Sequence, residues 1–175
     1  MDRSLKMSEK SLEKISSNSD FLDSKIFSRN SSSPCRLPTP NEVREAARAA
    51  KLKVTFGRPT PVIFPSLGVF VKYGGDIRIA EAQVLRYLGW HLSALVRIPE
   101  VYGCRRDDNQ TFIYMEYIPG DTLEKLWPSI NEESRGLVCS ELRMMVKEWR
   151  TLEQEVAFIG VFQSIFLTPT TFSLF

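Results

Sequence analysis

Lys72 and Glu81 are the residues whose types and placing could do chemistry in this chain. Lys72 interrupts Val69-Phe70-Val71-Lys72-Tyr73, a β-branched and aromatic run that predicts a strand. Gly74-Gly75 predicts a turn, and Asp76 is placed to cap a helix over 77–88 by accepting a backbone N–H. On that helix Ile77, Ala80, Val84 and Leu88 make an apolar stripe at spacings of three and four, with Glu81 inside it. A carboxylate on the apolar face of a helix is costly unless it is paired. The nearby cation of comparable predicted burial is Lys72. One reading is a buried ion pair from strand to helix. The other keeps Glu81 at the edge of the stripe and lets Lys72 snorkel to water.

Nothing else in the composition competes with this pair. The single histidine, His91, is followed by Leu92 near the end of the same helix and reads as a helix-end or surface residue. Cys35, Cys104 and Cys139 are widely spaced and form no metal-ligand pattern. An odd cysteine count and an N-terminus without an apolar h-region predict a reducing, cytoplasmic setting. No apolar run approaches the ~18 residues of a membrane span. A net charge of +2 and the absence of long Lys/Arg runs argue against a nucleic-acid partner.

Around the pair, the 175 residues amount to one domain with some chain to spare. Residues 1–38 are serine-rich and predict a mostly disordered segment, with a short helix around Leu12–Ile15 or Phe21–Phe27 as the structured alternative. Thr39-Pro40-Asn41-Glu42 is a capping box that opens a helix through Lys51, and Lys53–Phe56 then reads as a strand stopped by Gly57. Pro59, Pro61 and Pro65 make 58–67 an irregular or edge segment. Gly89–Leu92 reads as the frayed end of the Glu81 helix. Glu100–Cys104 and Thr111–Ile118 predict strands around a hairpin turn at 105–109. Asp121 is expected to cap a short helix carrying Leu123, Leu126 and Trp127. A longer helix from Asn131 to about Leu152 is expected to bury Leu137, Val138, Leu142, Met145, Trp149 and Leu152. The apolar tail after Gly160 has no assignable role.

The order of these pieces resembles the N-terminal lobe of the protein-kinase-like phosphotransferases, and their wording the aminoglycoside phosphotransferase and choline kinase family, most closely its fungal branch. The carriers are Val71-Lys72-Tyr73-Gly74, Glu81-Ala82, Ile98-Pro99-Glu100-Val101-Tyr102-Gly103 and Tyr114 through Gly120. Thr122 through Pro128 and Phe158-Ile159-Gly160 continue the match. The resemblance implies an α+β fold: a kinase-like lobe with a small antiparallel sheet and one packed helix over 39–118, then a hinge and the first helices of a truncated C-terminal lobe over 119–160. It implies that Lys72 holds the α- and β-phosphates of ATP and that Glu81 positions it. An ammonium on a long stem suits phosphate oxygens, and the carboxylate keeps it aimed. Glu116 and Ile118 would meet the adenine edge through the Glu116 carbonyl and the Ile118 N–H, with Met115 at the back of the pocket.

The departures limit that expectation. The family's His-Gly-Asp loop and its magnesium-binding aspartate motif have no counterpart here: after Asp121 the sequence holds neither aspartate nor histidine, and its sole asparagine is Asn131. No catalytic or metal-ligating residue is therefore assigned, and magnesium would need the missing lobe. Gly57 and Gly68 do not make the glycine-rich pattern that covers phosphates. The expectation is the ATP-binding lobe of a phosphotransferase acting on a small-molecule hydroxyl, inactive alone. The alternatives are a non-catalytic remnant or interaction module that meets a protein partner through exposed apolar surface, and an unrelated α+β domain without a nucleotide site.

Overall fold

The computed structural model describes residues 18–28, 36–55, 58–92 and 96–151. In chain order its elements are β1 (Asn18–Asp20), α1 (Lys25–Ser28), α2 (Pro40–Ala49), β2 (Val54–Thr55), β3 (Arg58–Pro59), β4 (Val62–Phe64), β5 (Val69–Gly74), α3 (Ile79–Leu92), β6 (Val101–Asp107), β7 (Gln110–Glu116), α4 (Leu123–Leu126) and α5 (Glu132–Trp149). Five strands form one antiparallel sheet in the order β1-β6-β7-β5-β4, and β2 and β3 form a separate hairpin. This is an α+β domain. No helix among the described residues is long and apolar enough to cross a membrane.

Alternation along the strands sorts the sheet into two apolar faces. Val69, Val71 and Tyr73 of β5 join Phe112 and Tyr114 of β7 against Leu37 and against Val43 and Ala47 of α2. On the other face Ile113 and Met115 of β7 and Val101 and Cys104 of β6 meet Ile77, Ala82 of α3 and Phe21. Strand β7 is thus covered on both sides, which is why its sequence reads as an unbroken apolar run. Proline-flanked β4 lies at the sheet edge, as the loss of backbone donors requires.

The capping box forms. Thr39 Oγ1 accepts the Glu42 N–H at 3.3 Å, and the Thr39 N–H donates to Glu42 Oε2 at 2.6 Å. Arg44 then ties α2 to the β6–β7 hairpin, donating to Asp107 Oδ2 at 2.6 Å and Gln110 Oε1 at 2.9 Å. The hairpin closes on Asp108 and Asn109, both in the left-handed region at φ 47° and 58°, the geometry of a tight two-residue turn. Strand β6 therefore runs on to Asp107, and the turn is shorter than the expected 105–109.

Several expectations need correction. Residues 18–28 fall in the segment expected to be mostly disordered, yet β1 pairs with β6, Phe21 and Ile26 are buried, and the short α1 at Lys25–Ser28 overlaps the helix allowed around Phe21–Phe27. Two apolar anchors, together with an Asp20–Arg105 ion pair at 2.9 Å, are enough to hold a polar strand on a sheet edge. Gly103 permits the approach, since a Cβ there would sit 2.7 Å from the Ser19 carbonyl oxygen. Helix α3 starts at Ile79, so Asp76 stands ahead of it and does not cap it, and Ile77 packs from the preceding turn. Its fully buried positions are Ala82, Tyr87 and Leu92, not the expected stripe, and it stays regular through His91. Thr122 and not Asp121 caps α4, while Asp121 pairs with Lys125 one turn on. Asn131 caps α5 as expected, but α5 buries none of its residues. Of those expected inside, Leu137, Leu142 and Trp149 are exposed, Leu137 by 65%, and Val138 and Met145 are only partly buried. Leu152, the 158–160 match, Cys35 and the tail lie outside the described residues.

The cap carries a pH signature. The Arg36 guanidinium, bonded to Glu42 at 2.6 Å, and then the backbone N–H and hydroxyl of Thr39 hold the Glu42 carboxyl at about 2, against an ordinary 4.5. A depressed carboxyl contributes stability that is present above 4.5 and is lost as pH falls toward about 2. Thermal midpoints measured between about pH 6 and about pH 2 should fall less steeply for Glu42→Gln than for wild type. Thr39→Ala should cost about 1 kcal/mol at neutral pH. Identical slopes for wild type and Glu42→Gln would remove the carboxylate from the account.

Candidate functional site

The site is built by strand alternation and a short turn. Phe70 and Lys72 occupy the α3 side of β5, because Val69, Val71 and Tyr73 go to the α2 side. Beyond Gly74 and Gly75 the buried Ile77 anchors the turn, and α3 begins two residues later. Glu81 therefore falls in the first turn of α3, over the lysine strand. Lys72 Nζ donates to Glu81 Oε1 at 2.5 Å. The side chains are 36% and 35% exposed.

The ion pair is real and the burial is not. Both groups sit at the rim of the α3 face, where water screens them, so neither of the two sequence expectations holds unchanged. Glu81 does lie at the edge of the apolar stripe, yet Lys72 turns to it and does not run free to solvent. A pair so exposed contributes about 1 kcal/mol or less to stability.

The other expected residues are arranged around it unequally. Met115 is buried on the same face and pairs in register with Phe70, two positions along from the Lys72–Ile113 pair. Glu116 ends β7, its N–H donating to the Glu100 carbonyl at 2.8 Å, and the Tyr117 N–H donates to the Gly68 carbonyl at 2.9 Å. Ile118 is past the strand and 59% exposed. The Glu116 carboxylate accepts the Glu100 N–H at 3.4 Å and lines a cavity that includes neither Lys72 nor Glu81. Of the five expected residues, Lys72 and Glu81 are joined side chain to side chain. In the proline-rich segment, where a phosphate loop would lie, the Thr60 N–H and hydroxyl are both spent on the Lys53 carbonyl, at 3.0 and 2.6 Å.

His91 is occupied structurally. Its Nδ1 lies 2.8 Å from the Tyr87 carbonyl, which can only accept, so Nδ1 carries the proton, and its ring stacks on Tyr87 at 4.0 Å. Cys104 is buried, and burial pushes its thiol up, away from reactivity. No group of three His, Cys, Asp or Glu among the described residues could hold a metal ion.

One cluster escaped sequence reasoning. Arg86, on the second half of α3, is bonded to both carboxylate oxygens of Asp23 at 2.9 and 3.2 Å and lies over the rings of Phe21 and Trp90. Its partners Phe21 and Asp23 come from the serine-rich segment, so spacing along α3 carries no trace of them. The available signal was the apolar cluster Phe21, Leu22, Ile26 and Phe27 in a serine-rich segment.

No protein-family description matches the chain, and no curated protein or solved structure matches it. The fold and the site define an α+β domain with a five-stranded antiparallel sheet and a lysine–glutamate bridge from its strand β5 to its helix α3.

A double-mutant cycle of Lys72→Ala and Glu81→Ala on thermal or urea stability should give a coupling below about 1 kcal/mol, shrinking further in high salt. A coupling of about 3 kcal/mol or more would mean that the pair is desolvated in solution.

Proposed function

We propose that this chain is the nucleotide-positioning lobe of a kinase-like phosphotransferase of the aminoglycoside phosphotransferase and choline kinase type, acting on a small-molecule hydroxyl, and that it performs no transfer alone. The observation that carries this is the bridge from Lys72 to Glu81 across a strand and a helix. A lysine in an otherwise apolar strand with so small a return in stability is better accounted for by a ligand than by packing. The sheet order supports it, because β5 with the lysine lies beside β7, whose end would continue as the hinge. Lys72 would meet the phosphates and Glu81 would keep it aimed. Met115 would back the base, and the Glu116 carbonyl and Ile118 N–H would meet its edge. A cytoplasmic setting belongs to this proposal, and the exposed thiol of Cys139 fits a reducing compartment.

The chemical step lies outside what these residues supply. Nothing after Asp121 offers an aspartate to orient an attacking hydroxyl or to hold magnesium. A second reading, an interaction module, is favoured by α5. None of the 18 residues of α5 is fully buried, and the apolar Leu137, Leu142 and Met144 stay exposed, a surface that gains from a partner.

Calorimetric titration with magnesium–ATP decides between them. Wild type should bind weakly, with Kd about 1 mM or tighter, and Lys72→Ala should lose at least about tenfold, or ~1.4 kcal/mol. ATP hydrolysis and transfer should be absent in both. Absence of binding in wild type would sink the nucleotide proposal and leave the interaction module, and turnover abolished by Lys72→Ala would overturn the claim of inactivity.

A further inference from the structure

Most of the large apolar side chains left exposed among the described residues fall between Ile118 and Trp149. On α5, Leu142, Val146 and Trp149 follow one another at spacings of four and three, so they share one face of the helix. They are 47%, 38% and 46% exposed. Arg135 ties α5 to the end of α4, donating to the Trp127 carbonyl at 3.0 Å and lying over the Trp127 ring at 5.5 Å. Leu123, Leu126 and Trp127 are exposed as well, so the apolar residues of both helices belong to one fixed unit. Surface of this kind is covered in a stable assembly.

The chain itself supplies a segment of matching chemistry. Residues 152–175 follow directly on α5, and from Val156 to Phe175 they carry no charge. Eleven of those residues are Val, Ile, Leu or Phe, so the stretch gains free energy wherever it leaves water. Phe158, Phe162 and Phe166 recur every four residues, the spacing of anchors that lay an apolar edge along a helical surface. Residues 152–155, which hold Glu153 and Glu155, are a connection of the length common between antiparallel neighbours.

Reach and tethering select this occupant over a separate molecule. The 18 residues of α5 make it about 27 Å long. The uncharged stretch is long enough to run back along all of it, since at 1.5 Å per residue it spans about 30 Å. A segment tied to the end of its own site faces that site at an effective concentration on the order of millimolar. A second copy or another protein has to compete with that. No charge of the tail has to be desolvated, because from Val156 onward it has none. We propose that residues 156–175 fold back on α5 of the same chain and cover its Leu142, Val146 and Trp149 face, with Phe158, Phe162 and Phe166 as anchors. The proposal does not rest on nucleotide binding at Lys72. It takes the exposed surface behind the interaction-module reading and assigns its cover to the same polypeptide.

The test is hydrogen exchange on the full chain, with sedimentation velocity on the same samples. In wild type the α5 amides should exchange at least about tenfold more slowly than in a variant carrying Phe158→Gln, Phe162→Gln and Phe166→Gln, while the β7 amides keep wild-type rates. The reciprocal change, Leu142→Gln with Val146→Gln, should let chymotrypsin cut the tail at least about tenfold faster. Glutamine is a good helix former, so these α5 changes remove the apolar face and keep the helix. Lys147→Gln, off that face, should alter neither readout. Protection of α5 in a monomer is the expected result. Equal α5 exchange in wild type and the tail variant overturns the proposal, and so does protection confined to a dimer, which puts the cover on a second copy. Should the tail variant fail to fold, the chymotrypsin arm decides, because unchanged cleavage in the Leu142→Gln, Val146→Gln variant equally overturns it.

Discussion

Strand β7 is the constraint on which the rest depends. It sits mid-sheet, with Phe112 and Tyr114 facing α2 and Ile113 and Met115 facing α3. A strand buried on both sides needs a cover on both sides, and neither helix can be lost without leaving one of these rows in water. Roughly 1.5–3 kcal/mol attaches to each large apolar side chain so covered. Helix α3 is therefore held in place by apolar packing, and its register over β5 is what carries Glu81 to Lys72. The ion pair is a consequence of this packing and not its cause.

The same geometry sets how far the pair is from water. Ala82, next to Glu81, is fully buried, and the helix turns Glu81 toward the rim. A deeply buried pair would have needed compensation for desolvating two charges, commonly more than the attraction returns. At the rim that cost is small, and Lys72 keeps donors facing solvent while Glu81 restrains its stem. Such a lysine can accept a second anionic partner without first leaving the first, which a sealed pair could not do.

Much of this was legible in the residues, and what was not has a physical reason. The capping box at Thr39, the β5 and β7 runs, the edge position of the proline-rich segment and the meeting of Lys72 with Glu81 all follow from local pattern. The depth of burial did not, because spacing along α3 marks a stripe without saying where the sheet ends beneath it. Ile77 kept its apolar contact while leaving the helix, which shifted the buried set to Ala82, Tyr87 and Leu92. The strand at 18–20 was invisible because its binding energy comes from β6 and from Arg105 and Arg86, far along the chain. The apolar stripe of α5 was correctly read as helical, but a stripe alone does not supply the surface that covers it.

The segment at 18–28 links the features of α3 that do not touch one another. Through Asp23 it grips Arg86, and through the Lys25 backbone it orients Glu100. Arg86 and Glu81 belong to one helix, five residues and somewhat more than one turn apart. A helix gripped at its middle on one side and bonded to Lys72 near its start on the other has little freedom to rotate. The Asp23–Arg86 contact and the Lys72–Glu81 bridge are thus two polar ties on a helix whose place over the sheet is set by apolar packing. The edge strand is short, polar and anchored by few apolar groups, so it is among the first parts of the sheet to open. One polar tie of α3 thus comes from the segment that follows this edge strand, while the register of Glu81 over Lys72 rests on the apolar cover of β7.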